Sequence, residues 1–202
     1  MKGNNPIFER NVPGSTEKLQ KATVGIAGCG GLGSNAAVAL VRAGIGRLIL
    51  VDHDTVEASN LNRQHYFQQD IGNKKVEALA AHLRAINPEV DLVLHDVELT
   101  PKNMPGIYEE ADLLIEAFDR ADRKRWLIES WCVTYPDRPI VAASGVSGCG
   151  NTGAMKVHSS GNIHVCGDEQ SEMTMGLCAA RVMMAASMEA NVAIGLLIGE
   201  NG

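Results

Sequence analysis

The chain has 202 residues, 45% of them hydrophobic and 21% charged, an ordinary globular composition that excludes extended disorder and a fibrous repeat. Lys and Arg number 18 against 24 Asp and Glu, a net charge of −6 with no basic block, which argues against nucleic acid or an anionic membrane as partner. A chain of this size closes one core, so residues 1–202 are expected to form a single domain.

The opening stretch, MKGNNPIFERNVPG, has no apolar core and does not read as a secretory signal. Thr23–Ala27 (TVGIA) is a short apolar run that ends in the glycine cluster Gly28–Gly33. Ser34–Arg42 follows as a helix closed by Gly44 and Gly46, and Arg47–Asp52 (RLILVD) is a second strand. After an aperiodic polar stretch, Lys74–Ile86 places Val76, Leu79, Leu83 and Ile86 at helical spacing until Asn87-Pro88 stops it. Val90–His95 and Leu113–Phe118 are strands three and four, and between them Pro101 and Pro105 frame a connection with one short helix. Asp122–Thr134 reads as a helix and Pro139–Ser144 as a fifth strand. Strands apolar on both faces, alternating with helices, predict an α/β fold: a doubly wound, mostly parallel, Rossmann-like sheet. Beyond Gly145 the pattern changes. Ala154–His158 and Asn162–Cys166 flank Ser159-Ser160-Gly161 as a C-terminal antiparallel hairpin, and a closing helix runs from about Gly176 to Gly199. That last stretch is long and apolar, but Arg181 and Glu189 are expensive at bilayer depth, so a buried helix and no membrane span are expected. The methionines from Met173 to Met188 are expected to fill the core.

Gly28-Cys29-Gly30-Gly31-Leu32-Gly33 fits G-x-G-x-x-G between a strand and a helix. The first glycine permits the turn, the second a close approach of backbone to phosphate, and the third helix-on-strand packing. The helix amino terminus then offers free N–H groups to an anion. Asp52 ends the second strand, where a carboxylate reaches both ribose hydroxyls. These features serve NAD as readily as ATP.

Asp52-His53-Asp54-Thr55-Val56-Glu57-Ala58-Ser59-Asn60-Leu61-Asn62-Arg63-Gln64 resembles the D-x-D-x-V-x-x-S-N-L-x-R-Q signature of the ThiF/MoeB/HesA family of ubiquitin-activating-type adenylyltransferases, as does the GCGGLGS loop. The resemblance spans Lys18 to about Asp119 and runs more loosely to Gly199, with the short zinc-free ThiF-like branch nearest. It implies Mg²⁺-dependent adenylation, by ATP, of the C-terminal glycine of a small ubiquitin-like sulfur carrier ending in Gly-Gly, as in thiamine-thiazole or molybdopterin synthesis. It also implies a homodimer, while an amino terminus unlike a secretory signal and the lack of a disulfide framework predict a cytoplasmic location. Nucleotide contacts fall by resemblance on Gly28, Gly30, Gly31, Leu32, Gly33, Asp52, Asp54, Asn60, Asn62 and Gln64.

The chemistry is legible beside the family. Arg63 offers a planar fork for phosphate oxygens. Lys74 and Lys75 sit at the wrong end of a helix for cations, which a bound phosphate would explain; the family's G-x-x-K pattern selects Lys75. Asp119 follows the fourth strand, where a hard carboxylate suits Mg²⁺. Arg120 replaces the asparagine of the family's D-N-x-x-x-[RK], while Lys124 keeps its basic position. Arg10 lies where the family sends an arginine into the partner subunit's ATP site. No general base is needed, because the attacking carboxylate is already ionised. The five cysteines form no C-x-x-C pair and no disulfide framework, so structural zinc is not expected. Cys149 and Cys178 are the nearest candidates for sulfur transfer, though both are expected to pack. A nicotinamide oxidoreductase would explain Gly28–Gly33 and Asp52 but not Asn60–Gln64, Lys75 and Asp119. A non-catalytic scaffold has only Arg120 in its favour.

Overall fold

Runs of apolar residues without alternation form strands buried on both faces, and these build the centre of the molecule. The computed structural model describes residues 5–199, so the outermost ends of the 1–202 domain lie outside the described residues. Five strands, β1 (Thr23–Ala27), β2 (Arg47–Val51), β3 (Asp91–His95), β4 (Leu113–Glu116) and β5 (Ile140–Ala143), run parallel. The hairpin β6 (Lys156–Ser160) and β7 (Ile163–Gly167) completes one seven-stranded sheet in the order β3-β2-β1-β4-β5-β7-β6, with β7 parallel to β5 and β6 antiparallel at the edge. The expected doubly wound sheet with its terminal hairpin is therefore present.

Helices cover both faces. One core layer joins α1 (Ser15–Leu19), α2 (Gly31–Ala43), α3 (Lys75–Ile86) and the closing helix α6 (Ala179–Ile198) to the sheet through residues such as Leu40, Leu79 and Ala186. The other joins α4 (Met104–Ile107) and α5 (Ala121–Thr134) through Met104, Leu127 and Trp131. Tyr108 packs against Gly25, where a Cβ would meet its ring at 2.6 Å, and its hydroxyl donates to the Ile26 carbonyl at 2.9 Å. The chain leaves β1 for β2 and β3 on one side and returns to β4 on the other. That topological switch opens a crevice at the strands' carboxyl ends.

The hairpin strands lie one to two residues later than expected, at Lys156–Ser160 and Ile163–Gly167, and the closing helix starts at Ala179; two further shifts bear on the site. α2 starts at Gly31 rather than Ser34. Glycine's low helix propensity hides that first turn, but a Cβ on Gly33 would stand 1.8 Å from the Gly28 carbonyl oxygen, so only glycine fits. β4 ends at Glu116, the last residue in register with β1, which frees 117–120 for the crevice. The methionine expectation fails in part. Met173 and Met175 are 58% and 62% exposed on a single 3₁₀ turn outside the core, and Met183 looks outward from α6. α6 is long and apolar enough to span a membrane, yet Arg181 and Glu189 are buried and its inner face packs on α2 and the sheet.

Candidate functional site

The switch point holds a cleft of about 540 Å³, lined by the glycine loop, the ends of β2, β4 and β5, and the start of α5. Gly28 takes φ +98°, its N–H donating to the Val51 carbonyl at 2.9 Å. The loop thus turns from β1 against β2 in a conformation that disfavours other residues. Gly28, Gly30 and Gly31 line the cleft. Leu32 and Gly33 are buried inside the first turn of α2 and can offer only backbone. That turn has no side-chain cap, which leaves its first N–H groups available at the positive end of the helix.

Asp52 spans two tasks. Its Oδ2 accepts the Cys29 N–H at 2.7 Å and its Oδ1 the Asp54 N–H at 2.9 Å, while the side chain also lines the cleft. Each carboxylate oxygen keeps a further lone pair for a hydroxyl donor. Tyr66 closes the loop from behind: its hydroxyl donates to the Cys29 carbonyl at 2.8 Å, and burial raises its pKa far above the usual phenol range.

The cations come from the 53–75 segment. The Lys75 side chain is only 8% exposed and its Nζ lies 2.7 Å from Asp54 Oδ2. Burial pushes the Asp54 carboxyl up, but the hydrogen bond and charge of Lys75, with His53 and Lys74 nearby, outweigh it and hold the group below the usual range. Lys74 turns outward to Asp96 at 3.1 Å. Arg63 reaches the cleft, its guanidinium parked on the Asn62 Oδ1 (2.7 Å) and the Ser59 carbonyl (3.2 Å). Gln64 lines the cleft almost fully buried, and its Oε1 has no partner among the described residues. Asn60 and Asn62 do not line the cleft. Asn60 accepts the Glu57 N–H at 3.1 Å and holds the 3₁₀ turn 58–60, so these two asparagines shape the support under Arg63.

Asp119 stands exposed on the β4–α5 turn, lines the cleft and has no side-chain partner among the described residues. It is not the helix cap, which is Arg120. Arg120 is 66% exposed and grips Asp122 through two bonds of 2.9 and 3.1 Å. Below Asp119, the buried Glu116 accepts the Phe118 N–H at 2.7 Å and the Lys124 ammonium at 2.8 Å. Burial raises the Glu116 carboxyl, with Lys124 opposing. A hard carboxylate facing a cleft that also carries a glycine cradle, Arg63 and Lys75, with Arg120, Arg123 and Lys124 on its α5 side already paired to carboxylates, fits a Mg²⁺–phosphate group. Asp52, His53 and Asp54 also bring ligand atoms within 4.8 Å of one another, but Lys75 already occupies Asp54.

Arg10 is absent from this cleft. It sits between Phe8 of the 3₁₀ turn 6–8, which lies beside Gly44, and Asn11, whose side-chain amide donates to the Ala43 carbonyl at 2.9 Å, so this segment packs on the far end of α2. That end is about 20 Å from the glycine loop, one helix length. Of the two candidate cysteines, Cys149 does not pack as expected and is exposed in the Gly148–Gly150 loop, whereas Cys178 is half-buried at the cap of α6. Glu116 and Asp168 are not singled out from sequence, and Arg181 is read there only as a charge on the closing helix, not as the partner of Asp168 that braces the 145–171 wall. An acid inside an apolar strand and an arginine at a helix amino terminus were the available signals.

The ThiF family model matches residues 5–202. The protein named adenylyltransferase and sulfurtransferase uba4, from Emericella nidulans, is 41% identical over 130 residues, 64% of this chain and 27% of that protein. Adenylyltransferase and sulfurtransferase MOCS3 of Aedes aegypti is 35% identical over 130 residues, 64% of this chain and 29% of its own length. This chain therefore matches less than a third of those relatives. Among solved structures, E. coli tRNA N6-threonylcarbamoyladenosine dehydratase TcdA in complex with AMP superposes with TM-score 0.82 at 23% identity, over 92% of this chain and 89% of that one. E. coli MccB with ATP gives 0.74 at 23% identity, over 93% and 58%.

Proposed function

The chain belongs to the ThiF family, and from that premise we propose that it is an ATP-dependent adenylyltransferase. Its substrate on this reading is the C-terminal glycine carboxylate of a small ubiquitin-like sulfur carrier, of the thiamine-thiazole or molybdopterin type, and it works as a cytoplasmic homodimer. One observation carries the reading: Arg63, Lys75 and Asp119, from three separate elements, line a single cleft with the glycine loop and Asp52. The uba4 and MOCS3 relatives are named adenylyltransferases and sulfurtransferases, which supports the same chemistry.

In the reaction the carrier's carboxylate oxygen bonds to the α-phosphorus of ATP, the α–β bridging bond breaks, and pyrophosphate leaves. Asp52 accepts the ribose hydroxyls, and the first-turn N–H groups of α2 receive phosphate. Arg63 and Lys75 neutralise charge that grows on the departing pyrophosphate. Asp119 would hold Mg²⁺, which when bound draws charge off the phosphate oxygens. Catalysis is positioning and charge neutralisation. An oxidoreductase would need the loop and Asp52 but would leave Arg63, Lys75 and Asp119 without a task.

Incubated with ATP, Mg²⁺ and a carrier ending in Gly-Gly, the protein is expected to exchange labelled pyrophosphate into ATP. Asp119→Ala should slow this by roughly two orders of magnitude, the cost of one electrostatic contact at a reacting phosphate. Wild-type exchange in that variant removes Asp119 from the mechanism. Tight NADH binding without ATP binding refutes the reading.

A further inference from the structure

Ser34 and Asn35 are the fourth and fifth residues of α2 and do not line the cleft. Each makes a two-ended connection. Ser34 Oγ donates to the Gly30 carbonyl at 2.6 Å and accepts the His65 N–H at 2.9 Å. Asn35 Nδ2 donates to the Gly31 carbonyl at 2.6 Å and to the Arg63 carbonyl at 2.9 Å, using both hydrogens of one amide. Two neighbouring side chains thus tie the glycine loop to the backbone on either side of Gln64. The Arg63 stem also lies over Gly31, its Cγ 3.6 Å from where a Cβ would be.

This arrangement runs against helix stability. Asn and Ser are poor helix formers beside alanine, and bonding back to the carbonyl four residues earlier weakens a helix. The gain lies elsewhere. Arg63 follows the 3₁₀ turn 58–60, whose own bonds are local, so its place against the glycine loop depends on the bonds from Asn35 and Ser34 on one side and from Tyr66 to the Cys29 carbonyl on the other.

We propose that Asn35, with Ser34 beside it, is a positioning residue that sets Arg63 against the glycine loop so that both engage one triphosphate; this rests on the nucleotide-binding reading above. Binding to the whole chain is measured by calorimetry with Mg²⁺, using ATP and AMP as probes. Asn35→Ala is expected to weaken ATP about fivefold, the loss of one modest hydrogen bond, and to leave AMP within about twofold because AMP lacks the outer phosphates. In an Arg63→Ala background the same change should cost nothing further, because Asn35 acts through Arg63. The melting temperature should hold or rise, since alanine is the better helix former. Asn35→Asp, which keeps the size and loses both donations, should weaken ATP at least as much as alanine does.

Equal weakening of ATP and AMP, additivity with Arg63→Ala, or wild-type ATP affinity in either Asn35 variant overturns the proposal while leaving nucleotide binding intact. A wild-type chain that binds neither ATP nor AMP overturns the nucleotide-binding reading and the proposal with it.

Discussion

Gly33→Ala probes the contact on which the glycine loop's shape depends. The added Cβ would lie 1.8 Å from the Gly28 carbonyl oxygen and 3.0 Å from both the Gly28 carbonyl carbon and Ile26 Cγ2. The obstacle is backbone, so no side chain can swing clear; α2 must retreat from the loop by roughly 1.5 Å to restore ordinary contact. Overpacking of this kind costs about 3 kcal/mol at its upper end. Alanine's better helix propensity returns about 1 kcal/mol, for a net loss of about 2 kcal/mol. In a domain of this size that lowers the melting temperature by roughly 4–8 °C. The functional loss should be larger, because a misplacement of about 1 Å at a reacting group costs about a hundredfold in rate. Gly106→Ala in α4 is the control: nothing stands within 4 Å of its Cβ and its φ is not positive, so its stability should match or slightly exceed the wild type. Thermal unfolding and pyrophosphate exchange measure both variants. Wild-type stability and exchange in Gly33→Ala would refute the loop geometry, as would a Gly106→Ala loss of similar size.

Lys124→Met strands the buried Glu116 without its counter-charge, at a cost of about 3 kcal/mol by urea unfolding at neutral pH. Burial already raises the Glu116 carboxyl above its unfolded value. The penalty therefore grows as pH rises through that range and shrinks on acidification, and an equal loss at pH 5 and pH 8 would contradict it. Mixing Arg10→Ala with Asp119→Ala subunits should restore part of the exchange if Arg10 serves the partner's cleft; verified mixed dimers without rescue count against a crossing arginine. Cys149→Ser with Cys178→Ser should leave exchange within a few-fold of wild type, with far less than one zinc per chain by metal analysis. Stoichiometric zinc, or a carrier thioester lost with either cysteine, would bring sulfur transfer onto this chain.

Much of the architecture is written locally. TVGIA and RLILV are apolar on both faces and can only be interior strands. The turn chemistry of Gly28–Gly33 and the D-x-D-x-V-x-x-S-N-L-x-R-Q pattern point to one phosphate site, and the fold brings Arg63, Lys75 and Asp119 together with the glycine loop around one cleft. What escapes is set by partners distant in sequence. Ser34 and Asn35 look like ordinary helix residues until their bonds to His65 and Arg63 are seen. Asn60 carries the motif but spends its side chain on its own turn. The five-residue α1 is too short to show a period. Met173 and Met175 have core-type composition, and only their place on an isolated 3₁₀ turn leaves them exposed.

The central claim is that this cleft transfers an adenylyl group to a terminal carboxylate. Mass spectrometry of a Gly-Gly carrier incubated with the protein, Mg²⁺ and ATP tests it most directly. The account predicts an AMP adduct on the C-terminal glycine that requires ATP and is absent when that glycine is amidated. An unmodified carrier, with ATP bound by the protein and left intact, would contradict it.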